Sequence, residues 1–428
     1  MFDRACRPAV TAAAVFLALG ACDAASNPLE VESSSRIPAV AVETPANAQL
    51  LVDGAIADFE CAFAAYVVQS ATVGEEFIYS QQTADRTPAD RRAILPTDTR
   101  YSTFACTDLG IYGPLQIARA SAENVLGYLK GWTDAEVPSN RTRLIAVAAA
   151  YAGYSRLLLG EGFCTMAFSR INPDRSIDYG GEVQRDSVFK SAINLFTESI
   201  AAAQASNATE FLRMAYLGRA RAKLNLGDYA GAKADAQQVP SGYLKNATYS
   251  AQVGRRSNLV FADNNATTGT ASSIGERYRT IGDTRVPVSQ GTTTSAPGIR
   301  HWFQTKYTLV SAPIPLATYE EAQLIIAEAD IRANSLGTAL PILNASRTRG
   351  GQTGFTGTTQ AEYLAELVDQ RRRELFLESH HLFDVIRFNL SLTPATGTPY
   401  HFGGGTYGTQ ICFPLPASER LNNPLIGS

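Results

Sequence analysis

Lysine is nearly missing from this chain: of its 37 cationic side chains only six are lysine. Histidine (4), methionine (3) and tryptophan (2) are equally scarce. Four histidines leave little material for a metal centre, and none of Cys61, Cys106, Cys164 and Cys412 falls in the short spacing that zinc requires. Charge of one sign is also lacking. With 37 cations against 40 anions the net charge is −3, which gives no basic surface of the kind nucleic acid needs. The apolar run at residues 9–19 falls short of the roughly 20 residues that span a bilayer. What remains is 428 residues, 45% apolar and 18% charged, which fits a folded protein and excludes a disordered one. That length suits two or three domains, or one large helical assembly. Gly (33) and Pro (20) predict much loop beside any helix.

The N-terminus reads as an address. Arg4 and Arg7 precede the apolar run, which ends Leu19-Gly20-Ala21-Cys22. Leucine, two small residues and cysteine resemble the bacterial lipobox, in which the Cys22 thiol would be acylated and become the mature N-terminus. Residues 1–21 are then a leader, and residues 22–43, rich in Ser, Asn, Glu and Pro, a flexible tether. Asp23 directly after the lipidated cysteine retains some bacterial lipoproteins at the inner membrane, so the sequence leaves the destination membrane open. Without Cys6 and Cys22, four cysteines remain in an exported chain, and an even count favours two disulfides. Three pairings are open, of which Cys61–Cys106 with Cys164–Cys412 is the working expectation.

From residue 44 helices come in pairs. Apolar residues recur with helical period from 49 to 70, from 115 to 129, from 140 (with Asn140 as cap) to 158, and from 188 to 199. The stretch 77–114, broken by Pro88, Pro96 and Pro114, predicts loop. Residues 211–226 and 229–239 form a pair with Tyr216, Ala220, Gly227-Asp228-Tyr229, Ala232 and Ala236 at the offsets of a tetratricopeptide repeat. Pairs at 143–203 and 318–346 look like degenerate copies, and such units stack because none buries its apolar face alone. Residues 241–315 break the pattern. They are rich in Ser, Thr, Gly and Asn, include Thr292-Thr293-Thr294, and predict short strands and ordered loops forming a second lobe.

The C-terminal third carries the sharpest signature. Residues 363–388 read as a helix whose apolar stripe runs Leu364, Leu367, Val368, Arg371, Leu375, Glu378, Leu382. A cation and an anion on a core stripe are costly unless paired. Arg371 with Glu374, three residues on, and Glu378 a turn later predict a buried ion-pair network that fixes packing. A catalytic carboxylate pair is the weaker reading of the same acids. Arg371-Arg372-Arg373-Glu374-Leu375, then Glu378-x-His380, then Phe383-Asp384-x-x-Arg387, is similar to the C-terminal motif of the SusD/RagB family of nutrient-binding outer-membrane lipoproteins. Tyr319-Glu320-Glu321-Ala322 to Glu328-Ala329 resembles the family helix before it, and Phe413-Pro414-Leu415-Pro416 to Asn423-Pro424 its closing segment. Gln370, Ser379, Leu382 and Phe388 depart from the family pattern, where Glu, Gly and two tryptophans are usual.

The resemblance implies a mainly α fold. Tetratricopeptide-like helix pairs (about 44–240 and 316–390) form a right-handed scaffold, with the irregular lobe (about 241–315) inserted and 391–428 closing the domain. It further implies a surface-exposed, lipid-anchored protein of the outer membrane that captures a nutrient, an oligosaccharide or a peptide, and presents it to a TonB-dependent transporter barrel. No cofactor, metal or nucleic acid is implied. Sugar capture uses aromatic faces with polar side chains beside them, and loops suit that task. Tyr79, Trp302, Phe303 and Tyr307 are candidate aromatic contacts and Arg300 a polar one, each also compatible with ordinary packing. Trp132, at a helix end, fits either role.

Two other classes compete. A secreted glycosidase needs two carboxylates at a set separation, which 40 acidic residues supply by chance, and no hydrolase motif such as Gly-x-Ser-x-Gly is present. Gly403 to Gly408 satisfies Gly-x-Gly-x-x-Gly but precedes residues 409–413, which read as strand where a dinucleotide site needs a helix. The adjacent His380 and His381 diverge on a helix and read as exposed surface rather than a ligand pair. A tetratricopeptide scaffold that binds only protein would lack the 241–315 lobe. Six Asn-x-Ser/Thr triplets are expected by chance in such a composition. No residue is assigned a catalytic role.

Overall fold

The computed structural model describes residues 39–106, 109–137, 140–172, 174, 176–265, 270–294 and 298–427. The expected leader, Cys22 and the tether up to residue 38 lie outside them. Ala39–Val42, inside the expected tether, forms one helical turn. Among the described residues no helix is long and apolar enough to cross a membrane.

From Pro45 onward helices dominate. Those of eight residues or more are α1 (Ala48–Val73), α2 (Tyr112–Gly131), α3 (Arg141–Gly162), α4 (Arg185–Ala205), α5 (Thr209–Asn225), α6 (Tyr229–Ala236), α7 (Tyr319–Arg332), α8 (Leu336–Arg349), α9 (Gln360–Glu374) and α10 (His381–Phe388). Consecutive helices from α2 to α6 pack on one another, as do α7, α8 and α9, while α1 lies against α2 and α3. Their ends follow local chemistry. The Asn140 side chain accepts from the Arg143 N–H, that of Asp228 from Gly231, and that of Thr318 from Glu321. Thr359 and Glu362 make a reciprocal capping box at the start of α9. Gly227, at φ +79°, turns the chain from α5 into α6.

Small residues set the spacing. The Phe196 ring of α4 sits between Gly153 of α3 and Gly218 of α5, so that a Cβ at either glycine would come within 2.7 and 2.4 Å of it. The three helices therefore interlock around one aromatic side chain. The core continues through Phe59, Phe63, Tyr151 and Tyr154, whose rings stack or meet edge to face. A second cluster joins α7, α8 and α9 through Leu324, Ile331, Leu343 and Leu367.

Strands are short and pair two by two, all antiparallel. In chain order they are β1 (Phe77–Tyr79), β2 (Thr165–Ala167), β3 (Arg170–Ile171), β4 (Ile177–Asp178), β5 (Glu182–Gln184), β6 (Leu244–Ala247), β7 (Ser272–Ile274), β8 (Val288–Thr294), β9 (Arg300–Gln304) and β10 (Ile314–Thr318). The ribbons are β1–β7, β2–β5, β3–β4, β6–β10 and β8–β9. The segment 241–315 thus supplies or completes three of them, and it also contains an unexpected short helix, Leu259–Asn265. Residues 409–412, read as strand in the sequence, are irregular, and only Phe413 makes a bridge, to Phe163. Cys61 is bonded to Cys106 and Cys164 to Cys412.

The signature segment is not the single helix its periodicity predicts. α9 ends at Glu374, and the chain turns through Leu377 (φ +54°) and Ser379 (φ +71°) before α10 begins. The expected Arg371–Glu374–Glu378 network is accordingly rewired. Arg371 Nε donates to Asp384 Oδ2 (2.7 Å), Glu374 accepts from Arg285 (2.7 Å) and Arg349, and Glu378 from Lys306 (2.5 Å). Arg387 grips both oxygens of Glu328 (2.8 and 3.0 Å) and also Asp384 (2.9 Å). His380 and His381 are 4% and 5% exposed rather than on the surface. The Arg221 guanidinium donates to His380 Nε2 (3.2 Å), so that nitrogen is an acceptor and the ring is neutral; burial, then the arginines around it, hold its pKa well below the usual range.

Ser379 carries a left-handed conformation without being glycine, and its buried hydroxyl has no partner. Ser379→Gly removes a strain of about 1–2 kcal/mol and the unmet hydroxyl, against about 0.4–1 kcal/mol of added chain entropy in the unfolded state. The variant is expected to melt about 1–3 °C higher in a thermal scan. A lower melting temperature would mean that the hydroxyl contributes packing that glycine cannot replace.

Candidate functional site

The face built from loops and ribbons gathers what the helices leave free. The loop 80–106 leaves β1, the β8–β9 hairpin comes from the 241–315 segment, and the loop 392–410 follows α10. The short helix Leu259–Asn265 fixes the hairpin. Asn264 accepts the Gln304 N–H at Oδ1 (2.7 Å) and donates to the carbonyls of Ser272 (2.7 Å) and Trp302 (3.1 Å). Asn265 donates to Gln304 O (2.8 Å) and accepts from the Gln304 amide (2.6 Å). Gln304 in turn holds Tyr307 through both its amide oxygen and its amide N–H. Of these five hydrogen bonds of the two asparagines, four thus hold β9 to this helix, and the fifth, to Ser272 O, ties in β7.

Three cavities open along this face. One of about 530 Å³ is lined by Ser80, Gln81, Gln82, Thr270, Thr293, Thr294 and His301. A second, about 210 Å³, lies under the loop 84–101, with Tyr101 and Phe413 among its walls and the Asp85–Arg100 ion pair (2.9 Å) at its edge. A third, about 260 Å³, is lined by Glu75, Asp90, Arg92, Arg279, His401 and Tyr407, among others.

His301 links the first cavity to the scaffold. Its Nε2 faces the Asn264 carbonyl (3.1 Å) and its Nδ1 the Ser80 hydroxyl (3.1 Å). A carbonyl only accepts, so Nε2 carries the proton and Ser80 donates to Nδ1. Burial holds the ring's pKa below its usual value, which keeps it neutral.

The third cavity holds a buried acid. Asp90 accepts from Tyr400 Oη (2.8 Å) and from the Tyr79 N–H (3.2 Å), and burial pushes its pKa up to about 7. His401 bridges Tyr79 O (3.0 Å) and Tyr407 Oη (2.6 Å), and Arg92 lies 4.9 Å from the centre of the Tyr407 ring. These contacts clamp the loop 392–410 to β1 and the segment after it. A carboxyl raised from about 4 unfolded to about 7 folded stabilises the fold at low pH, an advantage lost as pH rises through 7. Asp90→Asn keeps the shape without the titration, so it should gain on the parent by at most about 1.4 kcal/mol per pH unit between pH 5 and 7. Urea midpoints of both proteins at pH 5 and pH 8 check this; an equal gap at the two values would refute it.

The sequence-derived contacts are distributed unevenly. Tyr79 (1% exposed) and Tyr307 (3% exposed) are interior, with the Tyr79 hydroxyl accepting from Gln69 and the Tyr307 hydroxyl donating to Leu377 O. Neither offers a ring face to solvent. Trp302 and Phe303 are half-buried and Arg300 is exposed. Strand alternation puts Arg300 and Trp302 on one side of β9, and His301 and Phe303 on the other; of the four only His301 lines the 530 Å³ cavity, with the Phe303 ring packed edge to face on it. Trp132 stacks on Tyr128 at the end of α2. The hydroxyl and amide groups at 80–82 and 293–294 and the Asp90–His401 clamp were missed; the loop composition was their only signal. The acids once read as a catalytic pair, Glu374 and Glu378, are each held by a cation. Among the described residues no group of three or more His, Cys, Asp or Glu could hold a metal ion.

Residues 241–410 match the model of the SusD family. No curated protein matches the chain. Similar solved structures include a SusD superfamily protein from Bacteroides vulgatus (13% identity, 89% of this chain and 97% of that one, TM-score 0.70). Surface glycan-binding protein A from Bacteroides uniformis is another (15%, 89% and 98%, 0.68). A third is surface glycan-binding protein A from Bacteroides thetaiotaomicron in complex with laminarihexaose (14%, 88% and 97%, 0.67). At these identities the likeness is one of fold, and that fold is the mainly helical, tetratricopeptide-like scaffold with few short strands.

Proposed function

We propose, from the match of residues 241–410 to the model of the SusD family, that this protein captures a nutrient glycan and passes it to a TonB-dependent outer-membrane barrel. The observation that carries the reading is the rigid, pinned hairpin beside a hydroxyl- and amide-lined cavity of about 530 Å³, set on a helical scaffold. Sugar hydroxyls both donate and accept, as do those side chains. Phe303, outside the cavity lining but with its ring 4.5 Å from the His301 ring that does line it, is the aromatic surface nearest the cavity on β9, with Trp302 and Arg300 at the other side of the strand. The laminarihexaose held by one structurally similar protein favours the same ligand class. Cys22 would carry the lipid that holds the protein at the outer-membrane surface, with the following residues as its tether. The protein binds without turnover in this reading, with the signature acids Glu374 and Glu378 serving as ion-pair partners.

Isothermal titration against neutral oligosaccharides tests it. The expected result is saturable binding without hydrolysis, weakened about three- to tenfold by Phe303→Ala. Weakening by Trp302→Ala instead would move the ligand to the other side of β9. Absence of glycan binding, or turnover of the glycan, would refute the reading.

A further inference from the structure

We infer that the captured ligand is an uncharged, polyhydroxylated chain, and that the site discriminates against polymers bearing carboxylates, sulfates or ammonium groups. This rests on the capture reading above and adds the chemical class. Among the described residues that line the 530 Å³ cavity there is no Asp, Glu, Lys or Arg. Ser80, Gln81, Gln82, Thr293 and Thr294 supply hydroxyls and amides, and His301 is neutral by its hydrogen bonds.

Two of the cations nearby are paired with carboxylates, while Arg279, which adds to burial in lowering the pKa of His301, donates to the Ile274 carbonyl and lies outside the lining. Arg86 pairs with Asp263 (2.7 Å) and Arg100 with Asp85 (2.9 Å). Arg91 donates to Gly404 O (3.1 Å), and Asp90 accepts from Tyr400. Arg300 projects from the opposite side of β9 to His301.

Hydrogen-bond polarity points the same way. Because Ser80 gives its proton to His301 Nδ1, its oxygen can only accept from a ligand. A carboxylate or sulfate only accepts, so it would face that oxygen and the glutamine carbonyls with no cation in the lining to compensate. An ionised group desolvated without a partner is strongly disfavoured. An ammonium would find acceptors but no carboxylate. A sugar hydroxyl meets both kinds of group.

The test is titration of the mature protein with laminarihexaose, maltoheptaose and xyloglucan oligosaccharides, against oligogalacturonate, heparin fragments and chitosan oligomers, at 50 mM and 500 mM NaCl. The expected result is binding by at least one neutral ligand, at least tenfold tighter than any charged one and unchanged by salt. Gln82→Ala, at an exposed position, should weaken it severalfold without moving the melting temperature, and Thr293→Arg should admit oligogalacturonate. Preferential, salt-sensitive binding of a charged polymer would overturn the inference while leaving glycan capture standing. Silence across the whole panel would overturn the capture reading itself.

Discussion

Replacing Arg387 with alanine is expected to destabilise the fold by about 3–5 kcal/mol, because it strands a buried charge. The Glu328 side chain is 0% exposed and receives two hydrogen bonds from that guanidinium. Its other cation, Arg332, stands 3.8 Å away. Asp384 would keep Arg371 and lose its second arginine. The expected loss in a thermal scan is about 5–10 °C. The double variant Glu328→Leu/Arg387→Met removes both charges, and a buried pair exchanged for apolar side chains is often neutral. It should therefore recover most of the loss, although Asp384 still has one partner fewer. A single variant that melts like the parent would show that water reaches Glu328, and that the signature does not lock α7 to α10 electrostatically.

How far the sequence could be read depends on the range of the interaction. The pair α5–α6 was legible because its determinants are local: small residues at close crossings, Gly227 at the turn and Asp228 as a cap. The break between α9 and α10 was not. It passes through Leu377 and Ser379 at positive φ with no glycine, asparagine or proline to announce it. The apolar stripe continues in register across it, so periodicity sees one helix. Once the chain turns there, Arg371 meets Asp384, 13 residues on, rather than Glu374. Glu374 and Glu378 find partners 89 and 72 residues away. Spacing rules for a helix surface say nothing about such distances.

The candidate site was legible in kind and not in detail. A stretch rich in Ser, Thr, Gly and Asn with interspersed aromatics does mark a loop-built lobe. Burial of an individual ring depends on tertiary packing, which is why Tyr79 and Tyr307 are interior and Phe303 is not. The clamp of Asp90 with His401 and Tyr400 joins positions some 310 residues apart, invisible to any local pattern. Polar runs such as Ser80-Gln81-Gln82 carry no period at all, and only the fold gives them a shared cavity with Thr293 and Thr294.

Removing the Cys164–Cys412 bond, as Cys164→Ala/Cys412→Ala, should cost up to about 5 kcal/mol, and removing Cys61–Cys106 up to about 4 kcal/mol. The order follows from the chain each bond closes, 248 residues against 45. Loop entropy grows only with the logarithm of length, so the two losses should differ by about 1–2 kcal/mol. Their local consequences should differ more. The Cys164 N–H donates to Phe413 O (2.9 Å) and Phe413 N–H to Gly162 O (2.8 Å), so the longer link pins the C-terminal segment to the end of α3. Phe413 packs on Tyr101 and Phe163, and Tyr101 Oη donates to Pro414 O. Loosening residue 412 therefore reaches the cavity beneath the loop 84–101. The shorter link acts on the loop 80–106 directly, through Cys61 in the rigid core of α1. Urea midpoints of the two variants give the global order. Amide hydrogen exchange should show 413–427 opening in the first variant and 80–106 in the second. A larger global loss from the shorter link would mean that strain or packing, and not chain entropy, sets what these bonds contribute.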